Sequence, residues 1–176
     1  MWHFTDQDAY LSCVWDLLDD SAVQSMRLLP QHARGYSCYH HSVLVSYASF
    51  RLCSLMGLDA RAAARGGLLH DLYLYNWRDK SCHPEFNHTL RHPEIALGNA
   101  RRRFFLTPKE ANIIASHMFP LTPTRFYRSL EAAVVSTVDK LCALAELLHL
   151  APRSLPAETP AVWVLARPIR PGRRAS

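Results

Sequence analysis

No uncharged apolar run in this chain approaches the ~18 residues needed to cross a bilayer. The first ten residues carry Asp6 and Asp8 and contain neither a basic segment nor an apolar one, so no secretion signal is expected. Cysteine is sparse and unpatterned: Cys13, Cys38, Cys53, Cys82 and Cys142 form no CxxC pair, and their number is odd. That speaks against a disulfide framework or a zinc ribbon and for a reducing, cytoplasmic setting. Only six glycines are present, which excludes a collagen-like chain. Strand signals are nearly absent, and the body holds no internal repeat, heptad array or low-complexity segment.

What remains is the balance of a globular domain. Of 176 residues, 49% are hydrophobic and 20% charged, enough for one core and too few for two large ones. The net charge of +5 is unevenly held. Residues 151–176 carry five arginines against Glu158, together with five of the eleven prolines, which leaves a net of only +1 on the first 150 residues. The chain therefore divides into a body, 1–150, and a poorly ordered, basic, proline-rich tail, 151–176. Such a tail can touch nucleic acid or another polyanion, but the balanced body gives no general reason to expect a nucleic-acid-binding protein.

Helix signals run along the body. Thr5 or Asp6 is placed to cap a first helix reaching Leu29, with Tyr10, Leu11, Val14, Leu17 and Leu18 on its apolar side and Pro30 behind it. Val45, Ala48, Leu52 and Leu55 give helical spacing over 41–56, and Gly57 is the natural stop. Asp59 can cap a helix through Ala62, Ala63 and Leu68 to about His70, in which Gly66 and Gly67 permit close backbone packing. The aromatic, aperiodic stretch 73–91 reads as a long loop. Pro93, in a first-turn position, starts a helix toward Phe105, and Thr107-Pro108-Lys109-Glu110 is a capping box opening another to about His117. Pro120 and Pro123 break the chain before a last long helix from Ser129 or Leu130 to Leu150. The expected architecture is all-α, a single domain of about six helices.

The chemistry lies in where histidine and aspartate fall. His70-Asp71 stands where the small-residue helix ends, so both side chains can turn toward one ion as the backbone leaves helical geometry. His41 begins the preceding apolar helix, Asp139 lies inside the last one, and His92 and His117 stand at helix ends. Imidazoles and carboxylates drawn from several helices onto one interior are how all-α proteins build metal sites. Taken singly, His92 is a surface histidine near a helix start, and His117 a C-terminal histidine suited to the helix dipole. Asp139 resists such an account, because a carboxylate among Val134, Val135, Val138, Leu141 and Leu144 is costly to bury unpaired.

The ordered set His41, His70-Asp71 and Asp139, in the contexts Leu68-Leu69-His70-Asp71 and Val138-Asp139-Lys140, resembles the HD-domain metal-dependent phosphohydrolases. The likeness covers residues 36–148. It includes the family's His-x-x-x-Val form from His41 to Val45, a register that favours His41 over His40. The stretches His92-Pro93-Glu94 and Ile113-Ile114-Ala-Ser-His117 resemble the additional histidines of members that hold two metals. Residues 68–77, 91–93 and 117–118 look like small bacterial HD-domain proteins. Many two-metal members have His-His where this chain has His117-Met118, so one ion and two both stay open.

The resemblance implies an HD helical fold, with His41, His70, Asp71 and Asp139 around a first ion. Asp71 would be shared with a second ion that adds His92 and His117. The mixed nitrogen and oxygen set suits a divalent transition ion, Mn, Fe, Co or Zn, where Mg or Ca would want oxygen alone. The implied activity is hydrolysis of a phosphomonoester or phosphodiester, on a nucleotide or another small phosphorylated metabolite, through ion-activated water. An HD-fold di-iron oxygenase and a non-catalytic metal-binding regulatory module are the alternatives.

Asp71 and Lys140 are the catalytic candidates. Lys140 lies about 100° around the helix from Asp139, yet it can lean to the pocket rim and meet phosphate as a point charge. His88, Arg78 and Lys140 are the candidate substrate contacts, with Lys80 and Arg91 flanking the same loop. His83 reads as structural, His3, His32 and His149 as ordinary histidines, and Arg101-Arg102-Arg103 as a solvated helix end. The run Tyr73, Tyr75 and Trp77 fits either a base-stacking wall or a plug that holds the loop on the core. Substrate choice belongs to the loop 72–91, and the sequence is silent on oligomeric state.

Overall fold

Asp20 decides where the first helical stretch divides. Its carboxylate accepts the Ala22 and Val23 amides at 2.8 and 3.4 Å. Where the sequence reads as one helix to Leu29, the chain instead forms α1 (Gln7–Leu18), a capped restart α2 (Ser21–Ser25) and a 3-10 turn (Met26–Leu28). The computed structural model describes residues 6–152 except His83 and Phe86, and among these it shows seven α-helices and no strand. Asp6 stands at the N-cap of α1, but with a left-handed backbone (φ 58) and no side-chain cap bond. Thr5 and the tail 153–176 lie outside the described residues. Ala151 belongs to the core, its carbonyl accepting the Tyr36 hydroxyl at 3.2 Å.

The other helices are α3 (Cys38–Leu55), α4 (Ala60–Leu69), α5 (His88–Arg103), α6 (Pro108–Ser116) and α7 (Leu130–Leu147). Ser37 caps α3 by accepting the His40 amide at 3.1 Å, so the helix starts three residues before His41 and carries it in its first turn. Asp59 caps α4 through the Ala62 amide at 2.9 Å, and Ser129 caps α7 through Ala132 at 3.3 Å. The Thr107–Glu110 capping box is made in both directions, at 2.7 and 3.2 Å. Helix α5 begins five residues ahead of Pro93, so the end of the expected loop is helical and the proline sits inside the helix. The carbonyl that Pro93 leaves without an amide belongs to Thr89 in the exposed first turn, where the loss costs little.

Helix α4 is the hub, packed against α1, α3, α6 and α7. Its Ala62, Ala63, Ala64, Gly66 and Gly67 are all buried, and their small size lets the neighbours approach. A Cβ on Gly67 would stand 3.0 Å from the Ser46 Cα of α3, and one on Gly66 2.6 Å from the Ile113 side chain of α6. That close approach sets the C-terminal end of α4, with His70 and Asp71, against the helices of His41 and His117. Buried Arg65 fastens the arrangement, donating to Asp16 at 2.6 Å and the Cys13 carbonyl at 3.0 Å on α1, and pairing with Glu110 of α6 at 2.9 Å. Arg103 is less solvated than its triple implies, since it pairs with both Asp20 oxygens at 2.9 to 3.1 Å and ties α5 to α2. All five cysteines are free thiols, and among the described residues no helix is long and apolar enough to cross a membrane.

Candidate metal centre

Six buried side chains from five helices or their ends converge on one interior: His41 (α3), His70 and Asp71 (past α4), His92 (α5), His117 (past α6) and Asp139 (α7). His41 Nε2 lies 3.0 Å from Asp139 Oδ1. His70 Nε2 is 3.5 Å from that same oxygen and 3.5 Å from Asp71 Oδ2. The other Asp71 oxygen, Oδ1, is 3.3 Å from His92 Nε2 and 3.7 Å from His117 Nε2. Three overlapping triads, each with its ligand atoms within 4.8 Å, result: His41/His70/Asp71, His70/His117/Asp139 and Asp71/His92/His117.

The imidazoles are aimed by their other nitrogen. Nδ1 of His70 donates to the Gly67 carbonyl at 2.7 Å, that of His117 to Ile114 at 2.9 Å, and that of His92 to His88 at 3.0 Å. Gly67 and Ile114 lie in the last turns of α4 and α6, whose carbonyls have no amide partner within the helix, so a histidine just past the end satisfies one of them. A carbonyl can only accept, so each Nδ1 holds a proton and each Nε2 is turned into the cluster, where the neutral ring offers a lone pair.

This arrangement calls for a cation. His70 Nε2 and Asp71 Oδ1 are buried without a hydrogen-bond partner, a costly condition for groups of this polarity. His92 Nε2 and His117 Nε2 approach to 2.8 Å, a distance that either a shared proton or a cation held by both nitrogens accounts for. The charges agree. Burial works to raise the Asp71 and Asp139 carboxyls, but the imidazoles beside them outweigh it and hold both well below the usual carboxylate range. Burial together with the His70 and His92 imidazoles pushes His117 down to about 3, leaving it neutral. Two anionic carboxylates and imidazole nitrogens turned inward fit a divalent transition ion, which would take the place of the imidazole protons.

Two supports escaped the sequence. Glu146 is fully buried, with Oε1 3.0 Å from His41 Nδ1 and Oε2 3.2 Å from His32 Nδ1. It stands seven residues, two turns, beyond Asp139, and a second carboxylate on that face was the available signal. Gln31 donates to Asp71 Oδ2 at 2.7 Å and accepts the Tyr73 hydroxyl at 2.9 Å. It lies between helices, where no periodicity marks it.

Other candidates fall outside the cluster. Lys140 turns back along α7: its ammonium donates to the His117 carbonyl at 2.9 Å and to the Ser136 carbonyl and hydroxyl at 3.0 and 2.7 Å. His88 forms a layer behind the cluster, stacked on His92 at 4.7 Å and on Trp77 at 5.4 Å, with Nδ1 2.8 Å from the Tyr75 hydroxyl. Arg78 is exposed and donates to the Gln31 carbonyl. Trp77 donates to the Pro30 carbonyl at 3.0 Å, so the aromatic run packs its loop onto the core. His32 is a partner of Glu146 and only partly exposed; His3 and His83 lie outside the described residues.

The helical fold and the buried cluster of four histidines and two aspartates agree with the class of HD-domain metal-dependent hydrolases. The HD domain family matches residues 38–149, and the chain belongs to that family. It is 31% identical to the ribonuclease Y of Finegoldia magna over 110 residues, 62% of this chain and 19% of that one. With the ribonuclease Y of Thermus thermophilus the identity is 35% over 118 residues, 66% of this chain and 18% of the relative. That of Desulforamulus reducens is 26% identical over 118 residues, 66% and 20% of the two chains. The chain thus spans about a fifth of the length of these bacterial relatives. No solved structure matches it significantly.

Proposed function

We propose that this domain hydrolyses phosphodiesters of nucleotides or short oligonucleotides, holding one divalent ion with His41, His70, Asp71 and Asp139 and a second with Asp71, His92 and His117. The observation that carries this is the shared position of Asp71, whose two oxygens face His70 on one side and His92 and His117 on the other. The name of the relatives, ribonuclease, favours the diester over the monoester. Bound divalent ions supply Lewis acidity at the phosphoryl oxygens and lower the pKa of water toward neutrality.

The chain's own residues position and insulate. Gln31 holds Asp71 Oδ2, which turns Oδ1 toward His92 and His117. Glu146 fixes the His41 ring, and the backbone carbonyls of Gly67, His88 and Ile114 fix the other three. Burial of all six groups lowers the local dielectric and strengthens every charge interaction among them. Lys140 serves through the His117 carbonyl rather than by reaching substrate.

The test is release of product from bis-p-nitrophenyl phosphate, p-nitrophenyl phosphate and a nucleotide and oligonucleotide panel, each with Mn, Fe, Co and Zn. Diester cleavage that disappears in His70→Ala and Asp71→Ala supports the proposal. No cleavage with any metal, or oxygen consumption by the iron-loaded protein, overturns it.

A further inference from the structure

Apart from the histidine–aspartate cluster, a cleft of about 570 Å³ opens between α5, α6 and the segment 124–128. Arg101 of α5 and Arg125 and Arg128 of the segment line it, and none of its lining residues is acidic. Since the first 150 residues carry a net charge of only +1, three arginines in one cleft are a local concentration. Among the described residues Arg101 and Arg128 make no ion pair, and Arg125 reaches Glu94 only at 3.6 Å with both side chains exposed to solvent. Phe126 stands among these cations with 62% of its surface in water. The segment is nonetheless held: Asn112 of α6 donates to the Phe126 carbonyl at 3.1 Å and accepts the Arg128 amide at 2.8 Å. The aromatic ring and the guanidinium are therefore presented together, on a fixed backbone.

We infer that this cleft binds the backbone of a single-stranded oligonucleotide, with the arginines on phosphates and Phe126 stacked on a base; the choice of occupant rests on the phosphodiester function proposed above. Guanidinium groups meet phosphate oxygens bidentately, and an aromatic platform beside a basic track is what alternating phosphates and bases require. An acidic polypeptide would use the charges and leave the ring idle. The two helices of the cleft also carry cluster residues: His92 precedes Arg101 by nine residues on α5, about 13 Å along the axis, and His117 follows Asn112 by five, about 7 Å. Nine residues are also two and a half turns, so Arg101 stands on the other side of α5 from His92, and the cleft is a binding surface apart from the cluster.

The experiment is fluorescence anisotropy of the full chain with a labelled phosphorothioate uridine oligomer of about twelve residues, resistant to hydrolysis, across a salt series. Arg101→Ala/Arg128→Ala is expected to weaken binding at least tenfold and to lower the log–log salt slope by about 1.4, two phosphate contacts on a single strand. Phe126→Ala is expected to weaken it about tenfold at unchanged slope, and to leave binding of polyglutamate untouched. All three side chains are solvent-facing, and unchanged melting temperatures confirm that the variants fold. Oligomer affinity unaltered in the double variant would place binding elsewhere, on the basic tail for example, and overturns the inference. So does polyglutamate binding as tightly as the oligomer with no effect of Phe126→Ala, which marks an acidic protein partner. The hydrolysis panel, including bis-p-nitrophenyl phosphate, a small ester that needs no track, is read in parallel: no cleavage of any substrate with any metal in the parent refutes the proposed function and leaves the binding result standing by itself.

Discussion

At the scale of single residues, the cluster is defined by what stands behind it. Glu146→Gln keeps the volume of the side chain but removes the anion that orients His41, and the expected result is a 10–100-fold loss of metal affinity by chelator competition with little change in fold. Unchanged affinity would make Glu146 a packing residue only. The His41 imidazole would be depressed by burial, but Asp139 and Glu146 outweigh that and hold it up at about 10. An ion on Nε2 must displace that proton, so metal titration at pH 8 in buffers of different ionisation enthalpy should report about one proton released from this site. His117→Ala should remove one ion per chain while the first stays, as counted by elemental analysis; equal stoichiometry in both proteins means that a single ion is held. His41, His70, Asp71, His92, His117 and Asp139 were all legible as candidates in the sequence, because their neighbours carry a recognisable pattern. Gln31 and Glu146 were not, since each matters only through a partner 40 or 105 residues away.

At the scale of elements, the tolerances of α4 are the ones that matter. Gly67→Ala places a Cβ 3.0 Å from the backbone of α3, which cannot move aside as a side-chain tip could. The expected cost is about 1–3 kcal/mol in urea unfolding, with weakened metal binding because His70 and Asp71 ride on the displaced end. A second clasp joins α4, α6 and α7: Glu131 accepts the Asp59 amide at 3.0 Å and the Lys109 ammonium at 2.8 Å. Burial would raise the Glu131 carboxyl, but these donors outweigh it and bring it from 4.5 down to about 2. A pKa lower in the folded than in the unfolded chain stabilises above the unfolded value and is lost as pH falls through the folded one. Glu131→Gln should therefore destabilise by about 1–3 kcal/mol at pH 7 and much less near pH 2, read as converging unfolding midpoints. Caps at Asp59 and Thr107 are legible in the sequence because capping joins near neighbours, whereas Ser129 and Leu130 are there equal choices for the start of α7 and only the bond to the Ala132 amide makes Ser129 the cap. The division at Asp20 was missed because apolar spacing continues through it, and only the carboxylate's bonds show that the helix restarts.

For the whole molecule, a divalent ion on either set of ligands would be a cross-link among three helices, and the two together among five. Divalent metal at a thousandfold over its dissociation constant should add about 4 kcal/mol to stability, seen as a raised melting temperature that a chelator reverses. Asp71→Ala should abolish that response. A melting temperature indifferent to metal in the parent would show that the cluster does not bind one.

Residue order alone makes the domain helical, marks the caps of α4 and α6, and singles out which histidines and aspartates are candidates for the site, because periodicity, capping and short motifs are relations between near neighbours. The tertiary structure decided the rest. It put the two Asp71 oxygens between opposite sets of imidazoles, turned Lys140 onto a backbone carbonyl, and brought Gln31 and Glu146 in behind the ligating atoms. It also gathered Arg101, Arg125 and Arg128 from two elements around one cleft. Such contacts join residues far apart in the chain, and the packing of α3, α6 and α7 on the small face of α4 is what fixes them, a geometry that no local pattern encodes.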